Sequence, residues 1–107
     1  MIRAVFLRHG PVLCGFSLTG HAGTAQKGQD IVCAAVSSAA YMAVNTLTDV
    51  CHCPAQVELD EQAGRMTVEL APEQAAEHRE ILEGFAAHLC QLAQQYPRSI
   101  HTEYTEV

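Results

Sequence analysis

The chain opens with two apolar runs that have the composition of strands. Residues 1–9 and 12–20 are rich in β-branched and aromatic residues, and a short break that contains Gly10 and Pro11 separates them. In the second run, apolar side chains fall at alternate positions. Because successive side chains of a strand point to opposite faces, two such runs around a glycine-containing break predict a β-hairpin.

A helical period replaces this alternation after residue 30. From Ile31 to about Leu47 the chain is rich in alanine, and apolar residues recur at steps of three and four. Asp30 is a typical N-cap, because its carboxylate can accept hydrogen bonds from amides of the first turn. The pattern predicts a largely buried helix that begins after Asp30. The preceding stretch, 22–29, is polar, carries glycines and predicts a mobile loop.

Alternation returns in the second half of the chain. Residues 57–59 and 66–70 alternate apolar with polar side chains, and Gly64 lies between them, which predicts a second hairpin. Pro72 suits the first turn of a helix, and Pro97 would end it after a long apolar stripe.

The resulting order is β-β-α-β-β-α. It predicts an α+β fold in two layers, with a mostly antiparallel four-stranded sheet and two helices packed on one of its faces. We see no linker or repeat that would divide residues 1–107, so we expect a single domain.

Composition narrows the function classes. The 107 residues include 12 acidic and 6 basic ones, which give a formal net charge of −6, and the basic residues are scattered. Direct binding of nucleic acid normally requires a basic patch, so we expect none. No apolar run approaches the roughly 20 residues that span a bilayer. The first seven residues include Arg3 and do not resemble a signal peptide, so we expect a cytoplasmic protein without membrane association.

The five cysteines are an odd number in a chain that we expect to stay in a reducing compartment, so we expect free thiols rather than a disulfide framework. Cys14 and Cys90 fall among apolar residues and are expected in or near the core. The sequence Cys51-His52-Cys53 invites a metal interpretation, but its cysteines are closer together than in structural zinc sites. We favour a plain turn there and predict no metal.

His21 and Cys33 could together form a nucleophilic pair. Cys33 would be the third residue of the predicted helix, where the helix dipole favours thiolate over thiol. An imidazole from His21 could take its proton, and uncapped first-turn amides, the Cys33 amide among them, could receive an oxyanion. The residues alone leave a second interpretation open, in which Cys33 is a small core residue and His21 a solvated one.

A longer motif surrounds this pair. Residues Gly20–Ala22 read Gly-His-Ala, and Gly28–Ser37 read Gly-Gln-Asp-Ile-Val-Cys-Ala-Ala-Val-Ser. This pattern resembles that of the bacterial ribosomal-processing cysteine protease family, Prp. The chain length and the order of elements agree as well, so the resemblance extends over the whole chain.

The resemblance implies a cysteine endopeptidase that works without a cofactor. The family's catalytic residues fall on His21 and Cys33, and supporting roles fall on Asp30 and Ser37. Asp30 would either orient His21 or only cap the helix, and we favour capping. The family's mobile active-site loop falls on 22–29, and the residues expected to form the substrate loop are Gly20, Ala22, Gly23 and Gly28.

The resemblance also implies a substrate and an assembly. Family members are cytoplasmic homodimers that remove the N-terminal extension of protein twenty-seven of the large ribosomal subunit. Two alternatives remain: a non-catalytic factor that binds or assembles a ribosomal protein, and a thiol redox sensor. A protease requires a reactive Cys33 thiolate and the binding factor does not, whereas a sensor requires a second cysteine near Cys33.

Overall fold

The computed structural model describes residues 1–21 and 30–107. The predicted mobile loop at 22–29, with Ala22, Gly23 and Gly28, lies outside the described residues. The elements are β1 (Ile2–His9), β2 (Val12–Thr19), α1 (Ile31–Asn45), a π-helical turn (Thr46–Val50), β3 (Ala55–Asp60), β4 (Arg65–Leu70), α2 (Pro72–Glu77), α3 (Arg79–Gln95) and β5 (Ile100–Glu106).

The described strands form one mixed sheet in the order β3-β4-β2-β1-β5. Three neighbouring pairs are antiparallel, and β5 runs parallel to β1. The predicted α+β class with a mostly antiparallel sheet is therefore confirmed, as are both hairpins. The predicted number of four strands is wrong, because β5 adds a fifth.

The fifth strand escaped the sequence analysis because it carries little apolar alternation. Ile100 is its one buried residue among the seven. Its side chains instead make surface contacts with β1: Arg3 pairs with Glu103, and the Arg8 guanidinium lies 5.0 Å from the centre of the Tyr104 ring. These polar contacts leave no hydrophobic period in the sequence.

The predicted second helix is two helices. Its interior breaks at His78, whose φ of −115° and ψ of 30° are not helical. Because of the break, the two helices bury their apolar residues against different neighbours. Ala75 of α2 is buried where that helix meets β2, whereas Leu82 and Phe85 of α3 lie in the core. The prediction of two helices is therefore corrected to α1, α2 and α3, together with the π-helical turn.

The core lies between one face of the sheet and helices α1 and α3. Phe6 and Phe16 are paired across β1 and β2, and both rings contact Phe85 of α3, with centroids 6.1 and 4.4 Å away. From the other helix, Val32 and Val36 join the same buried cluster. This two-layer arrangement supports the end of β2 and the start of α1, which carry His21 and Cys33.

The helical segment Ile31–Val50 has 20 residues and a mean hydropathy of 1.5, so by length and composition it could cross a membrane. By this test of length and composition, the expectation that no apolar run approaches a bilayer span does not hold for this segment. Its buried stripe, which includes Val36, Ala40 and Leu47, joins the core. Because 33% of the apolar window is buried and side chains such as Met42 are exposed, packing accounts for part of its apolar character. The predicted largely buried helix is therefore corrected to a helix with one buried stripe.

Candidate active site

The start of α1 is set by Asp30. Asp30 has an extended backbone (φ −83°, ψ 104°), and its Oδ1 accepts hydrogen bonds from the amides of Val32 at 2.9 Å and Cys33 at 3.1 Å. The backbone carbonyl of Asp30 accepts from the amide of Ala34, which continues the helix. The predicted N-cap is confirmed, and Cys33 is the third residue of the helix, as expected.

The Cys33 side chain is half-buried, and its thiol donates to Asp30 Oδ2 over 3.4 Å. Of the described groups near this sulfur, the helix N-terminus favours a thiolate, and a carboxylate at hydrogen-bond distance favours a thiol that donates to it.

The first-turn amides are not arranged as expected. Uncapped first-turn amides, that of Cys33 among them, are expected to receive an oxyanion, but the amides of Val32 and Cys33 both donate to Asp30. The prediction of uncapped amides is wrong for these two residues, because the same carboxylate that begins the helix satisfies them.

His21 lies two residues after Thr19, the last residue of β2, and is exposed. The residue before it, Gly20, has a φ of +90°, a conformation that favours glycine. The Gly20 amide donates to the carbonyl of Gly64 over 3.0 Å, which ties the end of β2 to the turn between β3 and β4. A side chain at Gly20 would also collide with the carbonyl of Met1.

His21 and Cys33 line the same pocket, of about 200 Å³. The loop-flanking Gly20 and the supporting residue Ser37 line it as well, whereas Asp30 reaches the site through its contact with Cys33. The structure therefore brings together the described residues that the motif singled out, although they come from the end of β2 and the first two turns of α1.

Sequence reasoning missed one whole wall of this pocket. It consists of residues around the β3–β4 turn and one tyrosine of α1: Tyr41, Leu59, Asp60, Glu61, Gly64 and Arg65. Tyr41 and Leu59 are 41% and 48% exposed. No sequence signal marks these residues as pocket lining, because the β3–β4 turn reaches the start of α1 only through tertiary packing.

The remaining cysteines lie away from the pocket. Cys51-His52-Cys53 forms a turn after the π helix, in which His52 has a φ of +50° and the Cys53 amide donates to the carbonyl of Leu47. Cys53 is buried, and burial is the main reason that the pKa of its thiol is raised, with a smaller contribution from the neighbouring Cys51. Within residues 1–21 and 30–107, no three His, Cys, Asp or Glu side chains converge as a metal site would require.

Cys14 and Cys90 occupy the expected core and near-core positions. Burial is the largest cause that raises the pKa of the Cys14 thiol. Among the described residues that line the pocket, Cys33 is the one cysteine, so no described thiol stands where a redox partner would be needed.

The chain matches known proteins over nearly its whole length. The family model described as cysteine protease Prp matches residues 1–101. The ribosomal processing cysteine protease Prp of Bacillus subtilis (strain 168) is 31% identical over 101 residues, which cover 90% of each protein.

Two solved structures are similar as well. That of SMU.848 from Streptococcus mutans has a TM-score of 0.86 and 32% identity, and the match covers 100% of this chain and 96% of that one. An essential ribosomal processing protease Prp from S. aureus, solved with a covalently linked product peptide, has a TM-score of 0.90 over 98% of this chain and 100% of that one. At 22% identity, the latter shows the fold alone.

Proposed function

The chain belongs to the Prp family of cysteine proteases, and from this premise we propose that Cys33 is its nucleophile and His21 its general base. The observation that carries the proposal is the shared pocket. His21 at the end of β2 and Cys33 in the first turn of α1 line one open cavity, although 12 positions separate them in the chain.

The chemistry follows from these two groups. His21 removes the proton from the Cys33 thiol, and the sulfur attacks the carbonyl carbon of the scissile peptide bond. The imidazolium then donates its proton to the leaving amine as the carbon–nitrogen bond breaks, which leaves a thioester on Cys33. Water, deprotonated by His21, hydrolyses that thioester and restores the thiol. Neither a metal nor an organic cofactor takes part in this sequence.

Two neighbours support the pair. Asp30 places Cys33 by capping the helix, and its Oδ2 lies within hydrogen-bond distance of Sγ. Ser37 lies one helical turn after Cys33 and lines the same pocket, where its hydroxyl can hydrogen-bond to a bound peptide. Gly20, with Ala22, Gly23 and Gly28 of the following loop, completes the proposed substrate-binding segment.

The substrate we propose is the N-terminal extension of protein twenty-seven of the large ribosomal subunit, cleaved in the cytoplasm by a homodimer. The similar protein of Bacillus subtilis is a ribosomal processing protease. The choice of protein twenty-seven as the specific substrate rests on the family resemblance. The net charge of −6 suits a basic protein substrate, since opposite charges accelerate encounter. No observation favours the non-catalytic binding factor over the protease.

The test is cleavage of the extended ribosomal protein from the same cell, followed by mass spectrometry of the fragments. The unaltered protein should cut once, near the N-terminus of the substrate. Cys33→Ala and His21→Ala should lose at least about 1,000-fold in rate, as expected when a nucleophile or its base is removed. Cys90→Ala, which removes a half-buried thiol outside the pocket, serves as the matched control and should cut normally.

The assignment of the nucleophile fails if Cys33→Ala cuts at the normal rate. The assignment of the substrate fails if the unaltered protein leaves the extended ribosomal protein intact but hydrolyses other peptides through Cys33.

A further inference from the structure

The turn between β3 and β4 lies directly against the imidazole of His21. A Cβ added to Gly64 would be 3.0 Å from His21 Nε2, 3.1 Å from Cε1 and 3.4 Å from the carbonyl oxygen of Gly20. The first two distances are shorter than ordinary contacts between carbon and ring atoms, which begin near 3.5 Å. The space that a side chain would occupy at residue 64 is therefore the space into which the ring packs.

We propose that Gly64 is a positioning residue for His21: the absence of a side chain in this turn lets the imidazole rest on the turn backbone and fixes its place in the pocket shared with Cys33. The inference deepens the proposed function and rests on it, since the position of His21 matters for catalysis only if His21 is the base.

The turn is anchored and does not move aside easily. The Gly64 carbonyl accepts from the Gly20 amide over 3.0 Å, and the Gly64 amide donates to the carbonyl of Glu61. Asp60 Oδ1 accepts from the amide of Ala63 over 3.0 Å, which adds a side-chain hydrogen bond within the turn. Since these bonds fix the backbone at Gly64, a methyl group there would displace the exposed His21 ring instead.

The expected displacement of the His21 ring is small, but its expected effect on the reaction rate is large. The ring would move by a few tenths of an ångström away from a rigid turn. Proton transfer requires a donor and an acceptor at hydrogen-bond separation, and a misplacement of about 1 Å can lower a rate about 100-fold. We expect Gly64→Ala to lower kcat on the order of tenfold and to leave KM nearly unchanged, because the defect concerns the base and not the bound peptide.

The chain offers a matched control in its other hairpin. Gly10 lies in the β1–β2 turn with a φ of +62°, almost equal to the +65° of Gly64, and nothing lies within 4 Å of a Cβ added there. Gly10→Ala and Gly64→Ala therefore carry the same left-handed backbone strain, and only the second introduces a contact with His21. The two variants should lose similar amounts of stability in urea denaturation.

The experiment combines kinetics with a direct view of the ring. The two variants and the unaltered protein are compared for kcat and KM on the extended ribosomal protein. The ring signals of histidine-labelled protein are followed by NMR, and the signals of His21 are identified by their absence in His21→Ala. Only Gly64→Ala should lower kcat and change the chemical shifts of the His21 ring.

The possible outcomes distinguish a failure of the positioning role from a failure of the proposed function. If Gly64→Ala and Gly10→Ala agree in kcat and in the His21 ring signals, the positioning role is overturned while the proposed function stands. If His21→Ala cuts normally, the proposed function fails and the positioning role with it, even where the ring signals move. If kcat and the ring signals change in Gly64→Ala alone, and His21→Ala is inactive, the positioning role is supported.

Discussion

With the residues that the structure describes, the Asp30 carboxylate makes contacts at the start of α1: it accepts from the amides of Val32 and Cys33 and from the Cys33 thiol. One residue therefore both begins the helix and touches the proposed nucleophile. The capping role could be read from the sequence because it depends on residues two and three positions away. The contact with the sulfur depends on the rotamer of Cys33, which no pattern of residue types specifies.

Replacement of Asp30 separates its capping role from its charge. Asp30→Ala removes the acceptor for two first-turn amides and should lower the free energy of unfolding by about 1 kcal/mol. Asp30→Asn keeps a side-chain oxygen at the same place and should stay within a few tenths of a kcal/mol of the unaltered protein. Urea denaturation of the three proteins measures the difference. Equal losses in both variants would show that charge, and not capping, stabilises the helix start.

Two glycines within regular elements have opposite roles. Gly15 in β2 is paired with Glu69 of β4, and an added Cβ would collide with the carbonyl oxygen of Val68. Gly84 lies inside α3, is exposed and has nothing within 4 Å of an added Cβ. In the strand, glycine permits close approach of two backbones. In the helix, it only adds flexibility to the unfolded chain.

The two alanine substitutions should therefore change stability in opposite directions. Gly84→Ala should raise the free energy of unfolding by about 0.5–1 kcal/mol, because alanine loses less conformational entropy in a helix. Gly15→Ala should lower it by roughly 1–3 kcal/mol, because the strands must separate to admit the methyl group. Thermal unfolding followed by circular dichroism measures both. A stable Gly15→Ala protein would mean that β2 and β4 can shift apart at no cost.

At the scale of elements, the sequence predicted the segments whose apolar residues recur with a regular period. Both hairpins and α1 belong to this group, although the apolar residues of β3 are exposed. It missed β5, whose outward side chains pair with β1 through charge and ring contacts, and it missed the break at His78, because no proline between Pro72 and Pro97 marks it. In both cases the deciding contacts are with distant parts of the chain.

Over the whole molecule, one buried cluster joins both layers, so loss of a core side chain should weaken every element at once. Leu47 is fully buried where the π-helical turn follows α1, whereas Met42 on the same helical segment is 73% exposed. Both are large and apolar, but only one lies in the core. Alanine substitutions at these two residues therefore separate the contribution of burial to stability from that of helix propensity.

Leu47→Ala should lower the free energy of unfolding by roughly 2–5 kcal/mol, through lost burial and the cavity left behind. Met42→Ala should change it by less than about 0.5 kcal/mol, since the residue is exposed. Urea denaturation at one protein concentration compares the two. A large loss for Met42→Ala would show instead that this face of α1 is buried in solution, for example in a homodimer.

The sequence by itself determined the local features of this protein: the two hairpins, the helix α1 with its Asp30 cap, and the motif that joins His21 to Cys33. These features depend on neighbours within a few positions, where periodicity and capping act. Only the tertiary structure decided that β5 completes the sheet, that the cap occupies the amides of Val32 and Cys33, and that the β3–β4 turn forms a wall of the pocket with Gly64 against the His21 ring. Contacts between β2 and a turn more than 40 residues later arise from chain packing, and no local pattern of residues encodes them.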